Sequence, residues 1–172
     1  MEDVSANSGV PIMYQTGHSF IKNKLKKEKA LLAGEMSGHF YFADNYLGYD
    51  DGIFASLRMV ELLANSCKKM SELLDTIPKY YNTPEIRVEC PDDKKFKIVE
   101  EISKELEKKG LDVLTIDGAR VQYGDGWGLI RASNTTPKLI LRFEAKTQKR
   151  LEEIKKTILD ELEKHMRVDI SS

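Results

Sequence analysis

The stretch LDVLTIDGARVQYGDGWGLIRASNTTPKLILRFEA, residues 111–145, decides the fold of the C-terminal half. It reads as three or four strands, in the runs LDVLTI, ARVQY, WGLIRAS and KLILRFEA. Asp117-Gly118 between the first two is a strong hairpin signal. Upstream, a strand at EIRVEC (85–90) leads to a helix capped by Asp92 or Asp93. That helix carries Phe96, Val99, Ile102 and Leu106 on one face, and Gly110 closes it. Downstream, a helix starting at Thr147 turns Leu151, Ile154, Ile158 and Leu162 inward. Strand, helix, strands, helix predicts an α+β domain over 81–172, an antiparallel sheet with two helices on one face. The tail VDISS (168–172) is expected to fray.

Two prolines and an Asn-Thr pair in IPKYYNTPEI (77–86) place a linker ahead of that domain. Residues 1–80 form a first domain of α/β class, with a mixed sheet and helices. Its elements are a strand at PIMYQT (11–16), a helix from about Ser19 with Ile21 and Leu25 as an apolar pair, and strands in KALLAGEM and HFYFAD. A further helix has Asp50 and Asp51 at its N-terminus and Ile53, Leu57, Val60 and Leu63 at helical spacing. A short helix near 70–77 ends before Pro78. The opening MEDVSANSGVP reads as a helix end and its exit turn, so this domain is expected to lack its first strand and to leave a sheet edge open to self-association.

With 27 basic and 28 acidic residues the net charge is −1, which gives no reason to expect a nucleic-acid partner. No apolar run is long enough to span a bilayer, and no membrane partner is expected. Cys67 and Cys90 form no CxxC pair and are expected as reduced, structurally buried thiols, so the cytoplasm is the expected location. The lysine-rich KNKLKKEK (22–29) and DDKKFK (92–97) read as solvated faces.

Three polar constellations stand out. GEMSGH (34–39) sets a carboxylate (Glu35), a hydroxyl (Ser37) and an imidazole (His39) between two strands, a donor and acceptor set that suits a sugar edge or, more plainly, a glycine-rich turn. In TGHSFIK (16–22), His18 and Lys22 are four apart and project together if the helix begins that early, near N–H groups that favour anions. Otherwise Thr16 or Ser19 caps and His18 is solvated. In RASNTTP (131–137), Arg131 offers a planar fork for phosphate, while Ser133, Asn134 and Thr135 add donors and a turn whose N–H groups can form an anion nest. Asp50-Asp51 reads as a cap rather than a metal site, and His165 as a complement to the last helix dipole.

These segments, together with DDGIFASLR (50–58) and DGWGLIRASNTTPKLILRFEA, resemble domains 3 and 4 of the α-D-phosphohexomutases, in the phosphomannomutase/phosphoglucomutase branch. The resemblance implies an isomerase that moves a phosphoryl group between C1 and C6 of mannose or glucose phosphates through a 1,6-bisphosphate. It implies that Glu35, Ser37, His39 and His18 bind sugar hydroxyls, with Lys22 at a matching position, and that Arg131, Ser133, Asn134 and Thr135 hold a phosphate. The family's serine loop (TASHNP type) and aspartate loop (DxDxDR) are absent from these residues. The chain is therefore expected to supply no catalytic or metal residue, to be inactive alone, and to need N-terminal domains that would bind the parent enzyme's Mg²⁺. The alternative is a non-catalytic sugar-phosphate-binding or interaction module that works in this truncated form.

Overall fold

The computed structural model describes residues 1–168 and divides into two compact units, 1–78 and 79 onward. The expected fraying tail, from residue 169, lies outside the described residues; Val168 itself packs against the second core.

The first unit opens with helix α1 (Glu2–Ala6). The expected strand at 11–16 is not formed: residues 11–15 carry no regular structure. A strand exists through its ladder, and among the described residues of this unit the only sheet is the antiparallel pair β1 (Leu32–Gly34) and β2 (Phe40–Phe42). Helix α2 (His18–Glu28) buries Ile21 and Leu25, the expected pair, against Tyr41, with Ala30, Ala33 and Ala43 around them. Its N-cap is Gly17, not Thr16 or Ser19. Helix α3 (Gly52–Ser66) is capped by Asp51, whose carboxylate accepts the Phe54 N–H at 2.9 Å.

The periodicity located α3 but not the face it uses. Ile53, Leu57 and Val60 are 79%, 62% and 62% exposed. The helix instead meets β2 and the turn after it through Phe54, which stacks on Tyr46 and meets Phe42 edge-on, and through Arg58 over the Phe42 ring. Helix α4 (Met70–Leu74) closes the unit. Cys67 is exposed at the end of α3, against the expectation of burial, while Cys90 is buried.

The second unit is built as the sequence implies. Strands β3 (Tyr81–Asn82) and β4 (Ile86–Glu89) both pair with β8 (Lys138–Ala145), and β7 (Gly126–Ala132), β6 (Ala119–Tyr123) and β5 (Asp112–Leu114) follow, antiparallel throughout. Helices α5 (Asp92–Lys108) and α6 (Gln148–Glu163) share one core with alternate strand residues: Ala119 and Val121, Ile130 and Ala132, Leu139, Leu141 and Phe143. Gly128 lets α6 approach the sheet, since a Cβ there would lie 3.0 Å from Ile154 Cγ2. Thr147 caps α6 as expected, and its four inward residues are all buried.

Two expectations about α5 fail. Its N-cap is Pro91 with no side-chain cap, so Asp92 and Asp93 sit inside the first turn. Phe96 is 56% exposed, and DDKKFK is not a uniformly solvated face, because Lys95 is buried. Val99, Ile102 and Leu106 keep the register of the buried stripe, and Phe96, at the end of that stripe beside the helix N-terminus, projects beyond the core.

Between the far ends of α5 and α6, Glu161 is buried. Burial alone would raise its pKa, yet Lys109 and Lys164 both donate to the carboxylate and hold it down at about 2. The folded pKa lies below the unfolded one, so the stabilisation is complete above the ordinary carboxylate range. It fades as pH falls from about 4.5 toward 2. His165 meets α5 at the same place, 3.4 Å from Glu101 Oε2 and 3.6 Å from Glu105 Oε2, rather than simply facing its own helix end. Urea unfolding followed by the single tryptophan, Trp127, reports on this unit. Glu161→Gln is expected to lower stability by about 1–3 kcal/mol at pH 7 and to flatten the loss of stability between pH 4.5 and 2. An acid limb as steep as that of the unmutated chain would refute the assignment.

Candidate functional site

The polar site of the first unit is organised by one carboxylate. Residues 34–39 form a tight hairpin turn: Glu35 N–H donates to His39 O at 3.0 Å, and Gly38 N–H donates to Glu35 O at 2.9 Å. Gly38 has φ +91°, a conformation that favours glycine. The Glu35 side chain turns inward and is only 10% exposed. Its Oε1 accepts the Gly17 N–H at 3.1 Å, and its Oε2 accepts the Tyr41 hydroxyl at 3.0 Å. Burial, reinforced by the hydrogen bond to Glu35, pushes the Tyr41 phenol well above its usual pKa.

The Gly17 bond brings two sequence constellations together, because Gly17 is the residue before His18. Helix α2 begins at His18, so His18 and Lys22 lie one turn apart on the same side. The Lys22 ammonium lies 5.8 Å from the centre of the Tyr49 ring. His18 Nδ1 is 3.5 Å from Ser19 Oγ. Ser37 Oγ is 2.7 Å from His39 Nδ1, while His39 Nε2 is 3.8 Å from Asp50 Oδ2. His39 is therefore flanked by Glu35, Ser37 and Asp50 while half of its side chain stays exposed. Hydroxyls, imidazole nitrogens and a carboxylate edge in one place can exchange hydrogen bonds with a vicinal diol.

The site of the second unit sits where β7 turns into β8. Strand alternation puts Ile130 and Ala132 under the helices and Arg131 on the opposite, helix-free face, paired in register with Ile140. Every other arginine among the described residues has a partner: Arg58 with Glu61, Arg87 with Glu85, Arg120 on Trp127, Arg142 with Glu85, Arg150 with Asp125, and Arg167 also. Among the described residues the Arg131 guanidinium has no hydrogen-bond, ion-pair or ring partner.

The loop after it differs from the expected anion nest. Buried Ser133 Oγ accepts from the Thr135 N–H at 3.3 Å, the Thr136 N–H at 3.1 Å and the Thr136 hydroxyl at 2.8 Å. Ser133 N–H donates to Lys138 O. Most of the backbone donors that a nest would need are thus used inside the loop. Ser133 in turn has its lone pairs occupied, so its own proton is the group left to donate. Asn134 and Thr135 are exposed, with side chains open to solvent.

Two supports for this loop were not foreseen from the sequence. Gly118, with φ +89°, lies against Arg131; a Cβ there would come within 2.6 Å of Arg131 Cβ and 2.8 Å of its Cα, besides meeting the Ile130 carbonyl. The Asp-Gly signal marked the turn, and only the sheet pairing shows that the turn backs onto Arg131. The second support is Lys95, whose buried ammonium donates to Thr136 O at 2.9 Å.

Residues 1–81 match the family description "Phosphoglucomutase/phosphomannomutase, alpha/beta/alpha domain III", and residues 85–161 match "Phosphoglucomutase/phosphomannomutase, C-terminal domain". The chain is 47% identical over 161 residues to a phosphomannomutase/phosphoglucomutase of Pseudomonas syringae, covering 94% of this chain and 35% of that protein. It is 46% identical over 153 residues to a phosphoglucomutase of Neisseria gonorrhoeae, covering 88% and 33%. A crystal structure of a phosphoglucomutase/phosphomannomutase family protein from Burkholderia thailandensis superposes with a TM-score of 0.84 at 38% identity, over 96% of this chain and 35% of that one. The chain thus spans about a third of the length of the curated relatives it matches.

Replacing Glu35 with Gln is expected to bring the Tyr41 phenol pKa down, though not to its usual value, since burial remains. Its ultraviolet titration reads this directly, and an unmoved curve would mean that burial alone sets it. Gly118→Ala is expected to destabilise the second unit by about 1–3 kcal/mol and to shift the Arg131 amide resonance. Gly124→Ala, where a Cβ meets nothing within 4 Å, is the control and is expected to do neither.

Proposed function

The chain belongs to the phosphoglucomutase/phosphomannomutase family, and we propose from that membership that it binds hexose phosphates, as the substrate-holding part of such an enzyme. In this reading Glu35, Ser37, His39 and His18 take sugar hydroxyls, with Lys22 beside them, and Arg131, Ser133, Asn134 and Thr135 take the phosphate that is not reacting. The observation that carries it is the unpartnered, half-buried Arg131 guanidinium beside a loop whose remaining donors are a serine proton and the exposed Asn134 and Thr135 side chains. A guanidinium can grip a phosphate through two parallel bonds, and charge-assisted bonds of that kind are about twice as strong as neutral ones.

Phosphoryl transfer depends chiefly on positioning and charge stabilisation. Our proposal therefore gives these residues the holding of hydroxyls and of the non-reacting phosphate, and assigns the transfer itself to none of them. Among the described residues no group of three or more His, Cys, Asp or Glu is placed to hold a metal ion. Also among the described residues, no helix is long and apolar enough to cross a membrane.

The test is a titration of the isotope-labelled chain with glucose 1-phosphate and mannose 1-phosphate, followed by amide resonances. Saturable shifts are expected at residues 131–135 and at residues 35–39. Arg131→Leu is expected to weaken binding about tenfold or more, the loss of a charge-assisted pair, and to abolish the shifts at 133–135. Absence of saturable shifts at 131–135 in the unmutated chain would overturn the reading.

A further inference from the structure

Lys95 occupies a position that simple helix electrostatics disfavours. It lies in the first turns of α5, where the exposed N–H groups repel a cation, and its side chain is only 4% exposed. A buried ammonium persists only where it is paired and hydrogen-bonded. Here the pairing is specific. One N–H of Lys95 Nζ goes to Asp92 Oδ1 at 2.6 Å on its own helix, and another goes to Thr136 O at 2.9 Å, across 41 residues.

The same Thr136 oxygen also accepts the Lys138 N–H at 2.8 Å, the bond that closes the loop onto β8. Both lone pairs of that carbonyl are therefore used, one to close the turn and one to tie it to α5. Thr136 in turn donates its N–H and its hydroxyl to Ser133 Oγ. A continuous path of hydrogen bonds thus runs from Lys95 through Thr136 to Ser133, two residues from Arg131. At the strand end, Cys90 N–H also donates to Pro137 O at 2.9 Å.

We propose that Lys95 is a positioning residue for the 131–136 loop: its ammonium fixes the Thr136 carbonyl, and through it the Ser133 hydroxyl, in the arrangement that receives a phosphate. This deepens the binding reading above and rests on it for the identity of the ligand. Its mechanism is preorganisation, with the loop ordered before the anion arrives, so that little freedom is lost on binding. The Asp92 carboxylate at 2.6 Å offsets the charge of this ammonium, so the effect on the ligand runs through the geometry of the loop and not through a net charge.

The experiment compares the unmutated chain with Lys95→Met, Lys95→Arg and Lys94→Met. In the ligand-free proteins, Lys95→Met is expected to speed amide exchange at Thr135 and Thr136 about tenfold or more, the loss expected for a bond to a charged group, while Ile130 and Leu139 keep their protection. Lys95→Arg is expected to restore part of that protection, and Lys94→Met to change nothing. Inorganic phosphate and glucose 1-phosphate are then expected to bind Lys95→Met about tenfold more weakly. Shifts at 35–39 on adding glucose 1-phosphate gauge the first unit independently. If Lys95→Met does not fold, the unmutated chain decides: nitrogen-15 spectra of its lysine ammonium groups are expected to show coupling from Lys95 Nζ to the Thr136 carbonyl carbon.

Unchanged exchange at Thr135 and Thr136, or absence of that coupling, overturns the proposal. Unchanged phosphate affinity in a Lys95→Met protein with a loosened loop overturns it as well, since the tie would then be structural only. Failure of the unmutated chain to bind either ligand overturns the binding reading itself; the exchange rates of the ligand-free proteins still decide whether Lys95 shapes the loop.

Discussion

The alternation of side chains along β7 is the constraint on which the second unit depends. Gly128, Ile130 and Ala132 face the helices, so Trp127, Leu129 and Arg131 face the other way. A slip of one residue would bury the Arg131 guanidinium beneath α5 and α6 and expose Ile130. The core and the candidate phosphate site are thus two sides of one decision about register. The hairpin partners hold that register. Gly118 closes the β5–β6 turn against the β7 backbone at Ile130 and Arg131, and Gly128 admits α6 close enough for Ile154 and Ile158 to seal the core.

A different logic governs the first unit, which has only three fully or nearly buried apolar side chains at its centre, Ile21, Leu25 and Tyr41. A core that small fixes little by itself. The Glu35 carboxylate supplements it by joining the N-terminus of α2 to the β1–β2 hairpin and by satisfying the buried Tyr41 hydroxyl. The group that resembles a ligand-binding carboxylate is also the joint that sets His18 beside the GEMSGH turn. Such double use means that substitution at Glu35 acts on the fold and on the site together.

Much of this was legible in the sequence where one local rule acts alone. Thr147 and Asp51 cap their helices, Gly110 ends α5 in the left-handed region, and the inward stripe of α6 follows its helical spacing. Legibility failed where a neighbour decides. The apolar stripe of α3 suggested a buried face, yet Phe54 and Arg58 make its contacts with Phe42 and Tyr46. The segment 11–16 has strand composition and no ladder partner among the described residues, so it forms no strand. Lys95 reads as one lysine of a charged run, because the carbonyl that it meets lies 41 residues away.

By itself the sequence determined the family, the class of each unit, the order of most elements and the residue types proposed to meet hydroxyls and phosphate. Those depend on residue type, spacing and local backbone preference, all of which are written along the chain. Tertiary structure alone decided which donors remain free for a ligand. It spent the loop N–H groups of Thr135 and Thr136 on Ser133, gave every other described arginine a partner and left Arg131 with none. Hydrogen-bond capacity is a property of a residue; whether it is already satisfied depends on what the fold brings within about 3 Å.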